Sequence, residues 1–168
     1  AIGDGEATFA LEDREAGTLP PALRPVLAAA RRASRRDGPD PIDAALRRTA
    51  PDANPAEGER LADWGVTPDL LAQTRVWRRP DGRLLAAAKG APEAIADLCR
   101  LDVAGRTRRA AEAEGFAARG LRVLAVAEAE GFDAVPAAPR DLAFRFLGWV
   151  AFVDPLRPSV PSAVASAR

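Results

Sequence analysis

Lys89 is the single lysine among the 24 basic side chains of this 168-residue chain; the other 23 are arginines. A compact ammonium on a flexible apolar stem fits a tight site and meets an anion as a point charge, which the planar guanidinium fork does less readily. The residues around it suit that chemistry. Leu84 to Ala88 form an apolar run that delivers Lys89 to its end, Gly90 lets the backbone turn, and Pro92 suits the first position of a helix with Glu93 in its first turn. A lysine beside the unpaired N–H groups of a helix start makes a resting place for an anionic or nucleotide ligand. Chance survival of one lysine in an arginine-biased chain is the plain alternative. Two further polar residues have the right type to join it. Asp43 follows Asp40-Pro41, where either carboxylate can serve as a helix cap or as a ligand acceptor. Arg122 lies in an otherwise apolar stretch, where its five donors require a partner, either a salt bridge or a ligand.

The elements that must position these residues are legible in part. Pro80-Asp81-Gly82 between Val76-Trp77 and Leu84 predicts a hairpin turn: proline presets φ, aspartate bonds its own backbone, and glycine accepts a positive φ. Leu23, Val26, Leu27 and Ala30 recur at helical spacing within residues 21–36, and Asp37-Gly38 closes that helix. The four arginines near its end, Arg31, Arg32, Arg35 and Arg36, have no aromatics among them and read as a solvated face that suits the helix dipole. A second helix starts at Asp40, and a proline-led helical turn is expected at Asn54-Pro55. Residues 105–118 read as a surface helix stopped by Gly120. Leu121 to Ala127 predict a largely buried strand, and residues 142–153 a long apolar one. Residues 7–11 alternate weakly, as an entering strand does.

Four stretches, taken in order, resemble the nucleotide-binding domain of P-type cation-transporting ATPases. Lys89-Gly90-Ala91-Pro92-Glu93 is similar to that family's KGAPE motif, Asp40 to Leu46 to its DPxExAL stretch, Gly120 to Ala127 to its strand with a phosphate-binding arginine, and Asp154-Pro155-Leu156-Arg157-Pro158 to its DPxRP hinge. The likeness spans about residues 20 to 160, and the wording is nearest to bacterial calcium or magnesium pumps. It implies an α/β (α+β) fold with a mainly antiparallel twisted sheet flanked by helices, in line with the predicted hairpin. It further implies a nucleotide-binding domain over residues 1–153 and, over 154–168, a hinge (Asp154, Pro155, Arg157) leading into a phosphorylation domain. ATP is the implied ligand, held by Lys89, Gly90, Ala91, Asp43 and Arg122, with Asp43 able to accept from the adenine amino group. Magnesium is implied to bind mainly through the separate phosphorylation domain. The family's Phe-Ser-x-x-x-Lys pattern is missing from residues 65–75; Val66 or Trp64 stands where its stacking ring belongs, with core packing as the alternative for both.

Composition bounds the rest. Net charge is zero, which gives no general electrostatic case for nucleic acid. There is no histidine, and the one cysteine, Cys99, reads as a core residue that forms no internal disulfide. No apolar run approaches the roughly 20 residues of a membrane span. The expectation is a soluble, monomeric piece of the cytoplasmic part of a bacterial inner-membrane pump, whose partners are an adenine nucleotide and the phosphorylation and membrane domains of the parent. The family's phosphorylated Asp-Lys-Thr-Gly segment needs a lysine that this chain does not have to spare, so the chain is expected to bind nucleotide without turning it over. Two readings stay open: a working nucleotide module, or the same fold with a decayed pocket serving as a scaffold. Replacement of Lys89 is expected to leave the fold intact.

Overall fold

A computed structural model describes residues 2–3, 8–9, 19–35, 39–49 and 58–153. The expected hinge residues Asp154, Pro155 and Arg157 and the turn at Asn54-Pro55 lie outside the described residues; the first helix, expected to run to Asp37-Gly38, ends earlier, at Ala33, where Ser34 turns extended. Among the described residues, seven strands form one sheet in the order β2-β1-β7-β6-β5-β4-β3. They are β1 (Ile2–Gly3), β2 (Thr8–Phe9), β3 (Glu59–Trp64), β4 (Ala72–Arg78), β5 (Leu84–Gly90), β6 (Leu121–Glu130) and β7 (Arg145–Val153). Every neighbouring pair is antiparallel. Helices α1 (Arg24–Ala33) and α2 (Pro41–Thr49) cover one face, and α3 (Pro92–Leu98) and α4 (Val103–Ala117) the other. This is an α+β fold with an antiparallel sheet between helices.

A sheet covered on both faces has two cores, and the period-two alternation of its strands sorts residues between them. Ala86 and Ala88 of β5 join Ile95, Leu98 and Phe116 beneath α3 and α4, while Ala87 joins Val26, Leu27, Ala30, Ile42 and Leu46 beneath α1 and α2. All seven residues of β5 are buried. The hairpin from β4 to β5 turns at Pro80-Asp81-Gly82 as its residues demand. Gly82 has a φ of 82° and donates to the Arg79 carbonyl at 2.9 Å, and the Arg83 amide donates to Asp81 Oδ1 at 3.0 Å. Gly120, with a φ of 73°, follows α4.

Three expectations change. β3 occupies a polar stretch that does not read as a strand, because an edge strand carries charge: Glu59, Arg60 and Asp63 mask its alternation. The apolar stretch from Leu142 begins with buried Leu142 and Phe144 after a 3-10 turn at Pro139–Asp141, and the strand itself starts at Arg145. β6 runs on to Glu130 and is bulged against β7, with Val126 opposite Gly148 but Ala127 opposite Phe146, so Leu147 is the extra residue. Among the described residues no helix is long and apolar enough to cross a membrane.

Candidate functional site

Lys89 stands on the central strand opposite Gln73 of β4 and Val126 of β6. Its parity puts the side chain on the α1–α2 face with Ala87 and Val126, away from α3. The sequence-based picture of Lys89 beside the start of the following helix is therefore corrected: a strand residue and the helix that follows it serve opposite faces here. The ammonium donates instead to Asp43 Oδ1 of α2, and both side chains are buried, at 5% and 2% exposure.

Asp43 is placed by its own helix start. The Asp40 carboxylate accepts from the Ile42 amide at 2.8 Å, Pro41 opens the helix, and Asp43 falls in the first turn facing the sheet. Its second oxygen, Oδ2, accepts from the Arg35 amide at 2.8 Å, just past the end of α1. Burial works against the Asp43 carboxylate, but the Lys89 hydrogen bond and charge, with the Arg35 amide, outweigh it and hold the group below its ordinary value as an anion. For Lys89 burial is the larger influence and pulls the ammonium below the usual lysine value, against the opposing pull of Asp43.

A second pair lies alongside. Arg75 sits opposite Ala87, two residues along β4 from Gln73 and on the same face as Lys89. It is 1% exposed; Nη1 donates to the Ser34 carbonyl, and Nη2 reaches Asp63 Oδ2 of β3 at 2.8 Å. Trp77 Nε1 donates to the Arg32 carbonyl at 3.2 Å. The sheet thus donates to carbonyls at the C-terminal end of α1, with a cation where the helix dipole favours one. Sequence reasoning missed Arg75 and Asp63. The signal was available, since Gln73-Thr74-Arg75-Val76-Trp77 sets an arginine in an apolar strand, the same argument that singles out Arg122.

The structure brings Lys89 and Asp43 together and leaves the other candidates apart. Arg122 is exposed at the start of β6, opposite Phe152, so the inference that it is a buried arginine in need of a partner applies to Arg75 instead. Arg122 shares the parity of Val126 but lies four residues before it, about 13 Å along the strand from the level of Lys89. Val66 is 63% exposed in the β3–β4 loop. Trp64 is half-buried and packs into the core beneath α3 and α4, on the opposite face from Lys89. Gly90 belongs to β5 itself, and its φ is not in the left-handed region. Glycine is required there for closeness rather than for a turn: a Cβ would meet the Leu71 carbonyl oxygen at 2.3 Å and Ala72 Cα at 2.6 Å. Ala91 donates its amide to that same Leu71 carbonyl at 2.9 Å.

The arrangement is therefore a buried group of Lys89, Arg75 and Asp43 at the meeting point of α1, α2 and the central strands, with the exposed Asp63 of the edge strand pairing Arg75 from its rim. Among the described residues no group of three or more histidine, cysteine, aspartate or glutamate side chains is placed to hold a metal ion. No protein-family model matches the chain, and no curated protein matches it either.

Proposed function

We propose that this chain is the nucleotide-binding domain of a P-type cation-transporting ATPase, holding ATP for transfer of its terminal phosphate to an aspartate in a separate phosphorylation domain. One observation carries the reading. Lys89 of the KGAPE-like stretch and Asp43 of the DPxExAL-like stretch are 46 residues apart in sequence, yet their side chains meet. Two motifs noticed separately thus converge on one sheet face, which a chance likeness of short strings has no reason to produce. The antiparallel sheet flanked by helices agrees with the same reading. The ammonium of Lys89 and the exposed guanidinium of Arg122, at one end of the sheet, supply positive charge for the phosphates. Magnesium and the phosphorylated carboxylate belong to the neighbouring domain, and the parent protein is an inner-membrane pump with this module on its cytoplasmic side.

Adenine affinity is expected to be low, because Val66 offers no ring and Trp64 is engaged in the opposite core. The dissociation constant falls in the high micromolar to millimolar range, or about 4 to 5 kcal/mol. A titration with ATP followed by amide chemical shifts tests this. Shifts gathering around Lys89, Asp43 and Arg122, little altered by magnesium, are the expected result. No shifts at about 10 mM nucleotide would reject binding. That result would favour the second reading, a scaffold in which Lys89 and Asp43 serve only each other.

A further inference from the structure

A phosphate approaching from solvent cannot touch Lys89 Nζ while Asp43 holds it, since both side chains are almost fully covered. The Asp43 carboxylate is itself bound like a ligand. One oxygen takes the ammonium and the other takes the free Arg35 amide at 2.8 Å, the two kinds of donor that hold a phosphate oxygen in an anion site. Lys89 and Arg75 are matched by Asp43 and Asp63, and Asp40 adds a further negative charge felt by Lys89. Adding a polyphosphate with Asp43 in place would set two anions on one buried ammonium, a costly arrangement. Exchanging one anion for the other keeps Lys89 matched. The element that carries Asp43 is suited to the exchange. α2 is a nine-residue helix that packs on α1 through Ile42 and Leu46, and the pair with Lys89 is its polar tie to the sheet.

Resting on the nucleotide reading above, we propose that Asp43 is an internal plug: its carboxylate fills the anion position at Lys89, and a nucleotide phosphate reaches the ammonium only by displacing it as α2 lifts. Part of the ligand's intrinsic affinity is then spent on opening, and the apparent dissociation constant rises by the inverse of the open fraction. Asp43 thereby opposes binding, the reverse of what an acceptor for the adenine amino group does.

The parent chain and Asp43→Asn are titrated with ATP and, separately, with inorganic triphosphate, following the amides of Gly90 and Ala91. In the same samples without nucleotide, an amine reagent is used to measure how fast Lys89 is modified, with the site identified by mass spectrometry. The plug predicts that Asp43→Asn binds ATP on the order of tenfold more tightly than the parent and exposes Lys89 to faster modification. Leu46→Ala keeps the carboxylate but loosens the seat of α2; it too should speed modification, and it decides the matter if Asp43→Asn does not fold. Weaker ATP binding by Asp43→Asn overturns the plug and makes Asp43 a ligand contact. Unchanged modification of Lys89 in both variants overturns it as well. If neither chain binds nucleotide while modification still accelerates, the lid over Lys89 stands and the nucleotide reading falls; tighter triphosphate binding alone assigns the position to a free polyphosphate.

Discussion

Replacing Lys89 by methionine removes the cation from a buried pair and leaves the Asp43 carboxylate to the Arg35 amide and the Ser34 hydroxyl. Breaking a buried ion pair from one side costs about 3–5 kcal/mol, because the remaining charge is stranded in a poorly polarisable setting. The lower end applies here, since that amide still solvates Asp43. A loss of about 3 kcal/mol lowers the melting temperature of a domain this size by roughly 6–12 °C. The structure thus reverses the sequence-based expectation that Lys89 can be replaced without harm to the fold. Asp43→Asn should cost a comparable amount by stranding the ammonium. In the double variant each stranded charge is gone, so the combined loss should fall short of the sum by about 2 kcal/mol. Urea unfolding followed by tryptophan fluorescence reads all four corners of the cycle. Additivity within about 0.5 kcal/mol would refute the pairing.

The same cycle has a pH signature with a definite sign. In the parent, the folded-state pKa of Asp43 lies below its ordinary 3.8, so its contribution to stability is fully present above that value and is lost as pH falls through the lower, folded value. In Lys89→Met the largest favourable influences on the anion disappear and burial dominates, which raises the folded pKa above 3.8. Stability of that variant then improves as the carboxylate takes up a proton. The gap between parent and variant should therefore narrow as pH falls toward and below about 4, and a gap that widens in acid would contradict the assignment.

Arg75→Met should cost about 2–4 kcal/mol in the same assay, because a charge-assisted hydrogen bond is lost and the Ser34 carbonyl at the end of α1 is left without it; accelerated amide exchange over residues 31–35 would locate the damage, and protection equal to the parent's would argue against it. Cys99 should be nearly inert: burial pushes its thiol up to about 12 in spite of Arg109 nearby, so alkylation at pH 8 should run on the order of a thousandfold slower than in the urea-unfolded chain, and comparable rates would show that the thiol is open.

Much of the fold was legible because its signals are local. Pro80-Asp81-Gly82 dictates its own turn, Pro92 and Asp40-Pro41 announce helices, and the apolar run from Leu84 has no other use than a central strand. β3 was hidden because its charges answer to partners on another strand: Asp63 pairs with Arg75, and Glu59 with Arg78. The candidate site was legible as a list of residues but not as an arrangement. Nothing in the spacing of Arg75 and Arg122 tells which is covered, since each sits among apolar neighbours on a strand. The difference is made by the ends of α1 and α2, which lie over β4 and β5 and not over the first residues of β6.

That difference also shapes what a ligand here has to be. Lys89 and Arg122 point to the same side of the sheet but stand about 13 Å apart along the strands, the one buried and the other exposed. A small anion resting at Arg122 does not also reach Lys89. A ligand that engages both must reach across that gap, which a chain of linked phosphates does better than a single phosphate. Between the two levels lies Leu124, and Phe152 stands opposite Arg122; both pack on the α1–α2 core, whereas Trp64 belongs to the opposite one. Because displacing Asp43 costs part of the affinity, the sign of the Asp43→Asn effect, more than the strength of binding in the parent chain, separates a nucleotide site from a buried salt bridge that only holds two helices to a sheet.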